Sequence, residues 1–293
     1  MHVEDCCIIF GASGQDGYYL GQQCRERGLE VIGISRSAAD THRSIADFSF
    51  IQHLISKTRP RFIFHLAASS TTRHDAVLDN MGSVIIGTYN ILEAVKLHSP
   101  ESRVFITGSG LQFRNTGQPI AETDEFEITS AYSLARINST QCARYYRSLG
   151  IRAYVGYLFH HESPRRGPNH VSMMIAKAAQ EIAKAPNTIF EIGDINVEKE
   201  WVFAGDVTRG ILALVDQTEI FEAAIGSGEG HTIREWLDEC FGLVGLNWQE
   251  HVRVKQDFRP EYQRLISDPS TIMSLGWRPT VGFEQLAQLL MGL

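Results

Sequence analysis

Seven residues near the start of the chain, Gly11-Ala12-Ser13-Gly14-Gln15-Asp16-Gly17, follow an apolar run and open an amphipathic stretch. Glycines at this spacing permit a tight turn and close backbone approach, and the free N–H groups of a helix N-terminus attract phosphate. Gly11, Ser13, Gly14, Gln15, Asp16 and Gly17 are therefore candidates to hold the pyrophosphate of a dinucleotide. The next apolar run ends in Ile34-Ser35-Arg36-Ser37, where an NAD binder usually places an acid for the ribose hydroxyls. Arg36 offers a cation to a 2′-phosphate instead, which favours NADP with NAD still possible, and Asp47 is a candidate acceptor for the adenine amino group. His160, His161 and Glu162 adjoin, but consecutive strand residues face opposite ways, so a metal site is not expected.

These residues need a scaffold, and the first half of the chain supplies its pattern. Short β-branched runs at Cys6 to Phe10, Glu30 to Ser35, Phe62 to Leu66, Arg103 to Thr107 and Arg152 to Phe159 alternate with helical periodicity at Asp16 to Arg27, Gly82 to His98 and Ala131 to Leu149. Such alternation predicts an α/β, Rossmann-type, doubly wound parallel sheet. The expected division is a dinucleotide-binding domain over 1–160, with segments near 186–220 returning to it, and a smaller mixed C-terminal lobe over 161–293 that takes the substrate. Thr188 to Ile192 reads as an isolated strand, and Ile272 to Trp277 with a final helix from Phe283 to Leu290 as a small lobe packed on the sheet.

Composition narrows the classes further. At 293 residues, 43% hydrophobic, the chain can bury roughly 75% of its unfolded surface, so neither disulfides nor a structural metal is required. The 27 basic and 34 acidic residues give a net charge of −7 without a block of like charge, which argues against nucleic-acid and anionic-membrane partners. Cys6, Cys7, Cys24, Cys142 and Cys240 are odd in number and lack zinc spacing, so reduced thiols and a cytoplasmic location are expected. The first apolar run is too short for a signal peptide or a membrane span.

Tyr132-Ser133-Leu134-Ala135-Arg136 begins a helix, with Ser109 upstream, just past the fourth strand. This resembles the extended short-chain dehydrogenase/reductase family, whose pattern is Tyr-x-x-x-Lys with an upstream Ser or Thr. The resemblance implies that Tyr132 exchanges a proton with a substrate oxygen, Ser109 hydrogen-bonds that oxygen, and Arg136 tunes the phenol. The segment Leu158-Phe159-His160-His161-Glu162-Ser163-Pro164-Arg165-Arg166-Gly167-Pro168-Asn169-His170-Val171 is similar to Leu-Phe-Asn-His-Glu-Ser-Pro-Arg-Arg-Gly-x-Asn-Phe-Val of the GDP-mannose 4,6-dehydratases. Further matches are Leu66-Ala67-Ala68, Phe258-Arg259-Pro260-Glu261, Asp268-Pro269-Ser270 and Leu275-Gly276-Trp277-Arg278-Pro279. By this likeness Leu66, Ala67, Ala68, His161 and Arg166 adjoin the cofactor, while Asn169, Arg259 and Glu261 belong to the site for a GDP-sugar.

Three departures from the family pattern bear on function. Leu111 falls where the dehydratases carry the Glu that removes the C5 proton, and leucine takes no proton. Arg136 replaces the lysine; it stays charged but is longer, planar and never deprotonates. Glu198-Lys199-Glu200-Trp201 stands for Lys-Arg-Asp-Trp, leaving Lys199 as a point charge for the pyrophosphate, and His160 replaces an Asn. The expected activity is redox at C4 of a GDP-linked sugar, by 4-keto reduction or epimerisation. The alternatives are 4,6-dehydration assisted by Glu122 or a water, and a catalytically weak cofactor and nucleotide-sugar binder. The stretch from Arg36 to Asp47 is shorter than in the family, which argues against a tetramer, while the helices Gly82 to His98 and Ala131 to Leu149 suit a homodimer.

Overall fold

A computed structural model describes residues 5–35, 44–68 and 72–293 of the chain. Six parallel strands form the central sheet: β1 (Cys6–Phe10), β2 (Glu30–Ile34), β3 (Phe62–His65), β4 (Arg103–Ser109), β5 (Arg152–Leu158) and β6 (Glu222–Ile225). They lie in the order β6-β5-β4-β3-β1-β2, with Phe10 opposite both Ile34 and His65, and Ser109 opposite Leu158. The order in which successive strands are added reverses between β1 and β3, so the crevice beyond their carboxyl ends is the place for a ligand. Every residue of β1 is buried, as a strand covered on both faces requires.

Helices cover both faces. Gln15–Glu26 and Ala204–Val215 pack Leu20, Cys24, Val207 and Ile211 against Ile9, Phe64 and Phe105 on one side. Phe48–Thr58, Gly87–His98 and Ala131–Ser148 pack Ile51, Ile55, Leu92 and Ala143 against Ile8, Val104 and Val155 on the other. The helical run that ends at His98 starts earlier than its periodicity predicts, at His74, and passes through a π-helical turn over Met81–Ile86. Neither Phe48–Thr58 nor β6 is apparent from periodicity.

A second core holds the smaller lobe. Helices Val171–Lys184, Ile233–Gly242 and Phe283–Met291 enclose Ile175, Trp236, Phe241 and Leu286. Short strand pairs flank it, Phe190–Ile192 with Val252–Val254 and Glu198–Lys199 with Arg264–Leu265. Two expectations need correction. Of the stretch near 186–220, the part from Ala204 returns to the first lobe as a helix packed on the central sheet, whereas Phe190–Ile192 finds its strand partner in the second lobe. Ile272 and Trp277 belong to the first lobe: they are buried with Val207 and Ile211, and Trp277 Nε1 donates to the Asp206 carbonyl at 2.8 Å.

Candidate active site

The turn after β1 is as tight as its glycines suggest. Gly11 has φ +92°, and a Cβ there would stand 3.0 Å from the backbone of Leu66 and Ala67. A Cβ on Gly17 would stand 2.3 Å from the Gly11 carbonyl oxygen, so the loop closes only around a bare backbone. The result is a groove of about 460 Å³ at the N-terminus of helix Gln15–Glu26. Gly11, Ser13, Gly14, Gln15, Asp16, Gly17, Leu66, Ala67, Ala68 and Arg166 all line it. Groove, bare turn and helix N-terminus together fit a dinucleotide. Arg36 lies outside the described residues. Asp47 does not line the groove, whose wall is made by Ser44, Ile45 and Ala46. Its Oδ1 instead caps helix Phe48–Thr58, accepting from the N–H of Ser49 at 2.9 Å and of Phe50 at 3.3 Å.

Asp16 ties this turn to the second half of the chain. Its Oδ1 is 2.9 Å from His161 Nε2, and His161 Nδ1 is 2.7 Å from the Phe159 carbonyl. Carboxylate and carbonyl both only accept, so both imidazole nitrogens carry hydrogen and the ring is cationic. Burial disfavours charge on either partner, but their mutual attraction outweighs it, lowering the Asp16 pKa and raising that of His161. Gln15 reinforces the join by accepting from Ser163 Oγ at 2.8 Å.

A second cleft, of about 330 Å³, shares Asp16, Leu66 and Arg166 with the groove. Ser109, Leu111, Tyr132, Arg136, His161 and Glu261 line it. Ser109 is the last residue of β4 rather than just beyond it, and its Oγ accepts from Leu111 N–H at 3.2 Å. Ser130 caps helix Ala131–Ser148, accepting from Ser133 N–H at 3.1 Å, and the helical repeat then sets Tyr132 and Arg136 on one face. Tyr132 is 9% and Arg136 3% exposed, so the cation acts in a poorly screened setting. Leu111 lies among them. Glu122, the alternative base, is committed elsewhere: it accepts from the Ala224 N–H at 3.3 Å and from Thr271 Oγ1.

A third cleft, of about 310 Å³, continues from the second through His160, His170, Glu261 and Tyr262. Asn169, Lys199 and Glu261 line it. Arg259 is exposed and stands off this wall, although Phe258 and Pro260 beside it contribute. Lys199 is buried with Nζ 4.0 Å from Glu162 Oε1 and 4.4 Å from the centre of the Trp201 ring. Burial, more than the charge of Arg166, pulls its pKa down to about 8 against the pull of Glu162. The two adjacent histidines face different partners, His161 toward Asp16 and His160 toward Tyr262, whose hydroxyl is 2.9 Å from His160 Nε2. Sequence reasoning passes over Tyr262, because nothing local marks a residue whose partner is 102 positions away.

Three joined clefts thus lie along one side of the molecule, and comparison with known proteins finds the family to which such a fold belongs. The family model described as GDP-mannose 4,6 dehydratase matches residues 8–290. GDP-mannose 4,6 dehydratase 1 of Arabidopsis thaliana is 31% identical over 97% of this chain and 88% of its own length. Among solved structures, the Thermus thermophilus UDP-glucose 4-epimerase complex with NAD has a TM-score of 0.83 at 20% identity, covering 98% of both chains. RMD from Pseudomonas aeruginosa, complexed with NADPH, has a TM-score of 0.79 at 21% identity over 98% of both. At such identities the structures establish the fold, and it is the extent of the family match that makes this chain a member of the GDP-mannose 4,6 dehydratase family, within the extended short-chain dehydrogenases/reductases.

Proposed function

We propose that the protein is an NADP-dependent enzyme that performs redox at C4 of a GDP-linked sugar, reducing a 4-keto sugar or epimerising a centre through a transient ketone. The observation that carries this reading is Leu111 beside Ser109 and Tyr132: the cleft keeps the groups for a C4 oxygen and has an alkyl chain at the position of the dehydratase base. Tyr132 holds the proton that passes to or from the C4 oxygen, and Ser109 Oγ orients that oxygen. The guanidinium of Arg136 lies over the ring of Tyr132. When bound, the nicotinamide supplies or accepts the hydride. Lys199 meets the diphosphate and Glu261 the nucleoside, with Asn169 nearby. NADP over NAD rests on Arg36 in the sequence; the similar structures contain either cofactor.

A homodimer is part of the proposal. Leu78, Ile86, Tyr89 and Leu97 are exposed on the segment that ends at His98, and Leu134, Tyr145 and Leu149 on or beside the helix Ala131–Ser148. Two such apolar faces suit a shared helical interface. The buried, unpaired cysteines support residence in the cytoplasm.

The test is titration with NADPH and NADH by fluorescence, then incubation with GDP-mannose or its 4-keto-6-deoxy derivative while nicotinamide absorbance and product mass are followed. Oxidation of NADPH by the keto sugar, or a product isomeric with the substrate, is expected. Loss of one water from GDP-mannose as the main event would establish the second reading, 4,6-dehydration, which the Arabidopsis relative favours.

A further inference from the structure

Position 111 puts a leucine, which takes no proton, in the cleft of Tyr132, and the same cleft holds a pair able to move protons. His160 lies two residues beyond the end of β5 and lines both the cleft of Tyr132 and the proposed nucleotide cleft, so it stands where sugar and diphosphate meet. Its Nε2 is 2.9 Å from the hydroxyl of Tyr262, which lines the same two clefts and fixes the ring. The resemblance that identifies this segment has an Asn here, which can donate a hydrogen bond but cannot take up a proton at neutral pH.

We propose that His160, positioned by Tyr262, is a proton-transfer residue at a carbon next to the C4 carbonyl of the bound keto sugar. In the step, the C–H bond α to the carbonyl breaks and its proton goes to Nδ1 of the neutral imidazole. The electron pair forms the enolate C–C double bond, and charge rests on the C4 oxygen beside Tyr132 and Ser109. Reversal returns a proton from His160 to the same carbon. The step consumes no oxidant and no reductant. It deepens the C4-redox reading, since a base beside a 4-keto sugar opens an adjacent centre to proton exchange while C4 itself is reduced.

Electrostatics fits the role. Burial, then Lys199 and Arg166, keep His160 unprotonated when the site is empty. A diphosphate placed against those cations offsets their field, so substrate raises the basicity of the imidazole when it is needed. His170 and Glu261 share the cleft and are the rival bases. Glu261 is engaged with Thr72, which leaves His160 as the ring with a dedicated aromatic positioner.

The experiment follows deuterium uptake from D₂O at the carbons flanking the ketone of GDP-4-keto-6-deoxymannose, by NMR and mass, with NADP bound. Wild type should exchange, and H160N should lose at least about 100-fold of the rate, with NADPH binding as the check that it folds. Y262F should slow exchange by about tenfold and shift its pH profile, which a purely structural tyrosine would not do. Exchange persisting in H160N, or lost instead in E261Q or H170A, would overturn the proposal. C4 reduction by wild type without any exchange also overturns it and leaves the redox reading standing. Exchange without C4 redox does the reverse, and absence of both sinks both.

Discussion

The guanidinium carbon of Arg136 lies 5.0 Å from the centre of the Tyr132 ring, and its Nη1 donates to the Thr107 carbonyl at 2.6 Å. The arginine that stands for the family lysine is thus anchored to β4 while covering the phenol. Tyr132→Phe should lower C4 turnover by about 10²–10⁴ and leave the NADPH Kd within about threefold. Arg136→Lys, losing the anchor to Thr107, should lower kcat by about tenfold, since a shift near 1 Å is costly. Steady-state rates with the keto sugar check both, and a faster lysine variant would show that the arginine is a defect of the site.

The cofactor turn depends on Gly17. A Cβ there meets the Gly11 carbonyl oxygen at 2.3 Å and Ala12 Cα at 2.6 Å, both backbone atoms that yield only if the loop moves. Gly17→Ala should weaken NADPH binding by about 30-fold or more, equivalent to about 2 kcal/mol. Gly242→Ala, where a Cβ meets nothing within 4 Å, should leave it unchanged. Fluorescence titration of both variants provides the comparison.

The proposed place of Lys199 at the diphosphate makes nucleotide binding depend on pH. With its pKa at about 8 in the free protein, the ammonium that meets the diphosphate is lost as pH rises. The phosphate raises that pKa in the complex, so affinity for GDP should fall above about pH 8, by up to about tenfold per unit until the pKa of the complex is reached. Calorimetry from pH 7 to 9.5 measures it. Lys199→Arg, charged throughout, should flatten the profile.

Asp16 and His161 contribute to stability in an acid-side window. The lowered Asp16 pKa gives stability that is present above the unfolded value and lost as pH falls through the folded one. The raised His161 pKa gives stability that is present below the unfolded value and lost as pH rises through the folded one. Both act together between about pH 4 and 6.5. Asp16→Asn should therefore cost about 1–2 kcal/mol at pH 5.5 and less at pH 8.5, by denaturant unfolding at the two values.

An apolar helical face left bare invites association. Tyr145 is 58% and Leu134 41% exposed on one helix. Tyr145→Glu combined with Leu134→Glu should convert a dimer to monomers with NADPH binding retained, as read by light scattering after size exclusion.

Much of this site is legible in the sequence because its signals are local. A strand, a glycine turn and a helix N-terminus are contiguous in Cys6–Glu26, so residue types alone specify the tight turn that opens the groove. Tyr132 and Arg136 share a helix face by the 3.6-residue repeat, and Leu111 falls in the cleft because it follows Ser109 at the end of a strand whose register is fixed. Tertiary structure decides what depends on distant partners. Asp47 reads as a ligand for adenine, but its carboxylate meets backbone N–H groups of a helix that too few periodic apolar residues announce. Glu-Ala-Ala-Ile becomes β6 because β5 offers it an open edge, not because its propensity demands a strand. Glu122 is drawn to Ala224 and Thr271 and away from the cleft, while His160 finds Tyr262 from the far end of the chain. Backbone form and the face a residue occupies follow from nearest neighbours along the chain; which polar groups meet is settled only when packing the two lobes brings their side chains within hydrogen-bonding reach.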